Sequence, residues 1–302
     1  AMYLQHFGLR EFPFSITPDT SYFFSSGGSQ EALNTLLIAT RTGEGFIKIT
    51  GEVGTGKTLL CRKLMASLQP DFKLAYIPNP YLEPTALFME LASELGVEFA
   101  PGEHPMQHQL LKALTGRLLE IIRSGKRVVI ILDEAQAMPI ETLEALRLLT
   151  NLETEKRKLL QVIIFGQPEL ETKLNHPSIR QLKQRISFDY HLGPLARTET
   201  DYYLHHRLRV AGYQGGRMFS PLAMWLIQKT TKRTPRLLNI VAHKALLSAF
   251  GKGKRTVGLF DVLAASNDTA SIRDQNRNAS RTYLLLIILA ASLAAWGWMN
   301  RL

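Results

Sequence analysis

Gly51-Glu52-Val53-Gly54-Thr55-Gly56-Lys57-Thr58 is the stretch on which the reading of this chain turns. It fits the pattern of a glycine, four residues and then Gly-Lys-Ser/Thr. Its flanks agree, since Phe46-Ile47-Lys48-Ile49-Thr50 reads as a buried strand running in and Leu59 to Leu68 as a helix running out. Glycines let consecutive backbone N–H groups converge on an anion, and the positive end of the following helix points at the same place. The backbone from Gly51 through Leu59 is therefore expected to cradle nucleotide phosphates. Lys57 would reach the β- and γ-phosphates, and the Thr58 hydroxyl would sit on a magnesium ion.

Outward from the loop, strands and helices alternate. Ser29 to Arg41 carries Ala32, Leu33, Leu36 and Leu37 at helical spacing ahead of the first strand. After the loop come a strand at Lys73 to Ile77, a helix begun by Pro84, and an amphipathic helix from Leu110 to Ser124. Val128-Val129-Ile130-Ile131-Leu132 is apolar throughout, as expected of a strand covered on both faces in a parallel sheet. It ends in Asp133-Glu134, at the strand end where such sheets place their ligands. Asp133 can hold magnesium, directly or through water, and Glu134 can accept a proton from an attacking water. A helix over Ile140 to Leu152 and a strand over Leu159 to Phe165 follow.

Gln167, at that strand's end, is either a sensor of the γ-phosphate or a turn residue. Arg185 stands just before a last short strand, Ile186 to Leu192, where an arginine finger for a neighbouring subunit would sit; Arg180 is the other candidate, and a solvated charge is the plain alternative. From Thr198 the pattern becomes helical, with segments at Glu199 to Ala211, Ser220 to Thr231, Pro235 to Phe250 and Leu259 to Ala265. These suggest a small all-helical lid, with Arg236 either a phosphate sensor or a surface residue. Ahead of everything, Phe7 to Phe24 is aromatic and turn-rich and reads as too broken for a regular helix or strand. Its aromatics either plug the edge of the core or contact a nucleotide base.

The bulk properties are compatible with this. The chain has 302 residues, 45% of them apolar, and a formal charge of +10, which suits an anionic partner. The one cysteine, Cys61, excludes an internal disulfide or a cysteine-based zinc cluster and fits a reducing compartment. The opening residues are not basic and then apolar, so no secretory signal peptide is expected.

Together the lead-in Phe7-Gly8-Leu9 with Pro13-Phe14-Ser15, the loop Gly51 to Thr58, Leu132-Asp133-Glu134-Ala135-Gln136, Gly166-Gln167-Pro168-Glu169-Leu170, and Arg207-Leu208 with Ala211-Gly212 resemble the AAA+ ATPases. The resemblance is to the secretion and pilus-assembly branch typified by ExeA and GspA, and it runs over about the first 265 residues. It implies that Lys57 and Thr58 are Walker A, Asp133 and Glu134 Walker B, Gln167 sensor one, Arg185 the finger and Arg236 sensor two. Two positions depart from the pattern: Gln167 stands where Asn or Thr is usual, and Thr234 where a glycine often precedes the sensor-two Pro-Arg.

Beyond a polar linker at 267–281, Tyr283 to Met299 is apolar apart from Ser292 and Gly297. As a helix it would reach roughly 26 Å, against a bilayer core of about 30 Å. The alternative is a buried core helix. Tyr283, Trp296 and Trp298 suit aromatic belts, and Arg273, Arg277 and Arg281 before the span against Arg301 after it would keep the bulk cytoplasmic.

The expected architecture is thus an α/β AAA+ P-loop NTPase with a parallel sheet (1–195), a helical lid (196–266), a linker (267–281) and a C-terminal transmembrane helix (282–300). The expected activity is ATP hydrolysis with Mg2+ by a homo-oligomeric ring or partial ring. ATP is expected over GTP because no Asn-Lys-x-Asp motif occurs. The partners would be pilus or secretin assembly proteins at a bacterial inner membrane crossed by a single pass; nucleic acid is not expected. A DNA-associated ATPase of the transposition-helper kind and a slow-turnover, nucleotide-dependent scaffold stay open as alternatives.

Overall fold

A computed structural model describes residues 2–15, 27–53 and 55–274. Of these, residues 2–15 and 196–274 form one compact unit and those from 27 to 195 the other. The chain opens on a short helix, α1 (Met2–Phe7), which belongs to the first unit, and enters the second at α2 (Gly27–Thr42).

That second unit is an α/β sandwich. Its strands are β1 (Phe46–Gly51), β2 (Phe72–Ile77), β3 (Arg127–Leu132), β4 (Gln161–Gly166) and β5 (Phe188–Leu192). They lie in the order β2-β3-β4-β1-β5, and every neighbouring pair is parallel. Helices α3 (Lys57–Leu68), α4 (Pro84–Glu94), α5 (Gln107–Arg123), α6 (Ile140–Thr150), α7 (Glu169–Leu174) and α8 (Arg180–Arg185) supply the connections.

The uninterrupted apolar run of β3 has a simple cause. Side chains alternate across a strand, so Val128, Ile130 and Leu132 enter the core formed with α4, α5 and α6, while Val129 and Ile131 enter the one formed with α2 and α3. Both faces being covered, no position is left for a polar residue until Asp133.

Other strands do bury polar residues, Thr50 in β1 and Gln161 in β4 among them, and one of these residues is charged. Lys48, in the middle of β1, is 2% exposed; its ammonium is paired with Glu171 of α7 and, at 3.0 Å, with Asp189 of β5. An unpaired buried ammonium would be strongly unfavourable, so these two carboxylates fix where α7 and β5 can sit.

The first unit continues with α9 (Arg197–Val210), α10 (Pro221–Thr231), α11 (Pro235–Gly251) and α12 (Leu259–Asp268). A parallel bridge between Phe219 and Val257 aligns the starts of α10 and α12. The lead-in docks here. The Tyr3 ring lies 5.6 Å from Phe12 and 6.0 Å from Phe250, and Phe14 is buried within 6.3 Å of Phe219. Buried Arg207 donates from Nε to the Pro13 carbonyl (2.7 Å) and from Nη2 to the Ser15 carbonyl (3.0 Å). Tyr22, Phe23 and Phe24 lie outside the described residues.

A helix that was not read, Met2–Phe7, precedes the turn-rich lead-in; Tyr3 and Phe7 share its one buried face, a single repeat too short to register as periodicity. Two expectations are corrected. Residues 169–174 form α7 where only a strand end was read. The fold class loses its transmembrane helix: among the described residues no helix is long and apolar enough to cross a membrane. The physical reason is plain in α5, of 17 residues, whose turns mix buried leucines with exposed polar groups. The segment 282–300, on which a single-pass inner-membrane placement depended, lies outside the described residues.

The first unit also carries a buried carboxylate. Asp261, in the first turn of α12, accepts from the Gly258 N–H (3.0 Å), the Ser248 hydroxyl (2.8 Å) and Lys252 Nζ (2.9 Å). Burial pushes its carboxyl up, but those donors outweigh burial and hold it below the usual carboxylate range. A depressed folded value means stability that is full above the unfolded value of about 3.9 and lost as pH falls through the folded one. Asp261→Asn should therefore destabilise the chain by about 1–3 kcal/mol near neutral pH. Urea unfolding followed by circular dichroism should show that deficit shrinking below about pH 4.

Candidate nucleotide site

The loop between β1 and α3 is shaped by two glycines whose reasons differ. At Gly51 a Cβ would stand 2.6 Å from Thr55 Oγ1 and 2.9 Å from the Leu192 carbonyl oxygen, so no side chain fits. Gly56 has φ 88°, the left-handed region, and turns the chain into α3. Thr55 closes the turn by donating its hydroxyl to the Glu52 carbonyl at 2.8 Å. Val53 is exposed at the loop's tip, and Leu59 is half-buried in the first turn of α3; Gly54 lies outside the described residues.

Lys57 turns back into this loop. Its Nζ donates to the carbonyls of Gly51 (2.6 Å) and Glu52 (2.9 Å). Burial pushes the ammonium down from its ordinary value, while Glu134, Asp133, Glu52 and Glu169 push the other way. The result is a desolvated cation that donates to two neutral carbonyls, a fitting receptor for an anionic phosphate.

Asp133 emerges from β3 2% exposed. Its Oδ2 faces the Thr58 hydroxyl at 3.4 Å, and its Oδ1 accepts from the Glu134 N–H at 2.8 Å. Burial pushes the Asp133 carboxyl up, opposed chiefly by that N–H, by Thr58 and by Lys57. A hydroxyl and a carboxylate side by side are hard oxygen donors. Among the described residues no group of three or more His, Cys, Asp or Glu could hold a metal. The pair suits magnesium, which takes one or two protein oxygens and completes its shell with phosphate and water.

Glu134 is half-buried and adopts φ 51°, ψ 42°, a left-handed conformation that is strained for a non-glycine residue. Its Oε2 accepts from Gln136 Nε2 and, at 3.4 Å, from Gln167 Nε2. Gln167 thus lies beside Glu134, and Gln136 between them. The sequence reading quoted Gln136 only as part of a motif. The available signal was its position two residues beyond Glu134, in a stretch too short for any periodicity.

The remaining predicted residues lie on other elements. Arg180 and Arg185 occupy opposite ends of α8 and are exposed. Arg236 is exposed in the first turn of α11, in the other unit. The approach to Arg236 is unusual, because Lys232 and Arg233 are consecutive left-handed residues (φ 50° and 61°), held by the Arg233 N–H on Thr231 Oγ1 at 3.2 Å.

Of all these contacts, the crowding at Gly51 is the one with least room to relax, since one obstructing group is backbone. Gly51→Ala should lower stability by about 1–3 kcal/mol and weaken binding of a fluorescent ATP analogue. Thermal unfolding and equilibrium titration of the same preparation would register both.

Residues 40–174 match the family model described as AAA domain. Over 297 residues the chain is 39% identical to the general secretion pathway protein A of Aeromonas hydrophila, covering 98% of this chain and 53% of that protein. The chain therefore spans about half the length of the curated relative it matches. Among solved structures, Cdc6p from Pyrobaculum aerophilum aligns with a TM-score of 0.65 at 20% identity, over 83% of this chain and 71% of that one. The Aeropyrum pernix ORC2 protein, solved in ADPNP-ADP complexes, gives 0.59 at 20% identity over 84% and 70%. The Thermotoga maritima RuvB Holliday junction branch migration motor gives 0.53 at 15% identity over 85% and 73%. At such identities the likeness is one of fold. Residues 40–174 are thus similar to the AAA domain and carry the fold of these structures, in a chain similar in sequence to the general secretion pathway protein A.

Proposed function

We propose that this chain is an AAA+ ATPase that hydrolyses ATP with magnesium, works as a ring or partial ring of identical subunits, and serves assembly of a type IV pilus or secretin system. The observation that carries the catalytic part is the meeting of Lys57, Thr58, Asp133 and Glu134 beyond the ends of β1 and β3, which flank β4. The secretion context is supported by the 39% identity to general secretion pathway protein A. The finer reading is an MshM-like ATPase of mannose-sensitive haemagglutinin pilus biogenesis, which rests on the sequence resemblance.

In this reading Lys57 gives up its loop carbonyls for phosphate oxygens and stabilises charge that builds during transfer. Thr58 and Asp133 would hold magnesium, which when bound neutralises charge on the phosphates. Glu134 orients the attacking water and takes its proton. Gln167 would respond to the γ-phosphate end, a role supported by its contact with Glu134. Arg185 would act in a neighbouring subunit and Arg236 from the helical unit. A DNA-associated role has the fold likeness and the basic charge behind it, against a sequence relation over 98% of this chain and 53% of the relative to a secretion protein.

Lys57→Ala should weaken ATP binding by about 100-fold or more, whereas Glu134→Gln should keep affinity within about threefold and lose turnover by about 10²–10⁴. Equilibrium titration beside phosphate release measures both, and wild-type turnover in Glu134→Gln would remove the role of Glu134. Arg185→Ala should lower turnover about tenfold or more. Mixing it with Glu134→Gln subunits should restore part, because each supplies what the other lacks. No effect of Arg185→Ala would rule out the finger.

A further inference from the structure

We infer that Gln136 is the residue that sets the Glu134 carboxylate and couples it to the end of β4; the inference rests on the hydrolytic reading above. Glu134 has a strained backbone and a half-buried side chain, so its carboxylate is oriented by whatever donates to it. Two groups do. The bond from Gln167 Nε2 is long at 3.4 Å, beyond the ordinary range of about 2.7–3.2 Å. Gln136 Nε2 is therefore the principal hold on Oε2.

Gln136 is itself fixed at both ends. It sits on a 3-10 turn, Ala135–Ala137, between Ala135 and Met138, both fully buried in the core. Its Oε1 accepts the backbone N–H of Gln167 at 3.0 Å. Flipping the amide would set an acceptor against the carboxylate and a donor against that N–H, so one orientation alone serves both contacts. The space for Oε1 exists because residue 166 is glycine: a Cβ there would lie 3.3 Å from Gln136 Oε1 and 2.8 Å from Leu170 Cδ2.

A single amide thus joins the carboxylate at the end of β3 to the main chain at the end of β4. Any shift of the Gly166–Gln167 backbone moves the acceptor end of Gln136, and its donor end moves Glu134. Gln167 then acts on Glu134 by two routes, its own side chain and the Gln136 bridge. Gln136 touches no reacting atom in this scheme; it is a positioning residue.

The test compares wild type, Lys57→Ala, Gln136→Ala, Gln136→Glu, Glu134→Gln and the Glu134→Gln/Gln136→Ala double variant of the full chain. Turnover, KM, affinity for a fluorescent ATP analogue and the thermal midpoint are measured for each. Gln136→Ala should lower kcat by about 10–100-fold, with KM, affinity and the midpoint little changed. Gln136→Glu keeps the length and the acceptor for the Gln167 N–H but sets a carboxylate against Glu134, and should fall at least as far. In the Glu134→Gln background, Gln136→Ala should cost nothing more in single-turnover hydrolysis, because Gln136 acts only through Glu134. Turnover that survives both Gln136 variants overturns the inference alone, as does a loss that adds fully to that of Glu134→Gln or that tracks lost affinity or stability. Wild-type turnover no faster than that of Lys57→Ala overturns the hydrolytic reading and the inference with it.

Discussion

The placement of β4 between β1 and β3 is the constraint on which the site depends. Because all five strands are parallel, the loops after β1, β3 and β4 leave the sheet along one edge. The phosphate loop therefore opens one strand away from Asp133, with the β4 end filling the gap. Parallel pairing needs both faces covered, and the two apolar layers around the sheet provide that cover. The same burial makes the site reactive in the electrostatic sense. Lys57 and Asp133 are pushed off their ordinary values primarily by desolvation, so each is poised to gain from a charged ligand.

Backbone shape contributes as much as charge. Gly56 is left-handed where a helix must begin abruptly, Glu134 is left-handed without being glycine, and Lys232-Arg233 repeat that strain ahead of Arg236. Such conformations persist only where surrounding contacts over-determine them. At Glu134 those contacts are visible: the Asp133 carboxylate takes its N–H, and Gln136 and Gln167 take its side chain.

Much of this was legible in the residues. The glycine spacing before Lys57-Thr58 placed β1 and α3 correctly, and the five apolar residues before Asp133 gave a doubly covered strand. Lys57, Thr58, Asp133, Glu134 and Gln167 do come together. What could not be read has a common cause, in that it depends on partners distant in sequence. Nothing local marks Lys48 as buried against Glu171 and Asp189. The helix α7 has only six residues, and α1 has one repeat of its buried face. Gln136 gains its importance from Gln167, 31 residues on.

The grip of Arg207 on Pro13 and Ser15 bears on how the molecule comes into being. Residues 2–15 are made before the α/β unit, yet their partner Arg207 on α9 follows Pro13 by 194 residues, and Phe250 on α11 comes later still. In the interval the α/β unit, complete by residue 195, can fold by itself, as units of this kind do during synthesis. The aromatic lead-in must meanwhile wait with Tyr3, Phe7, Phe12 and Phe14 uncovered. A segment made before the α/β unit is thus placed after it, and its docking is a late step in assembling the chain.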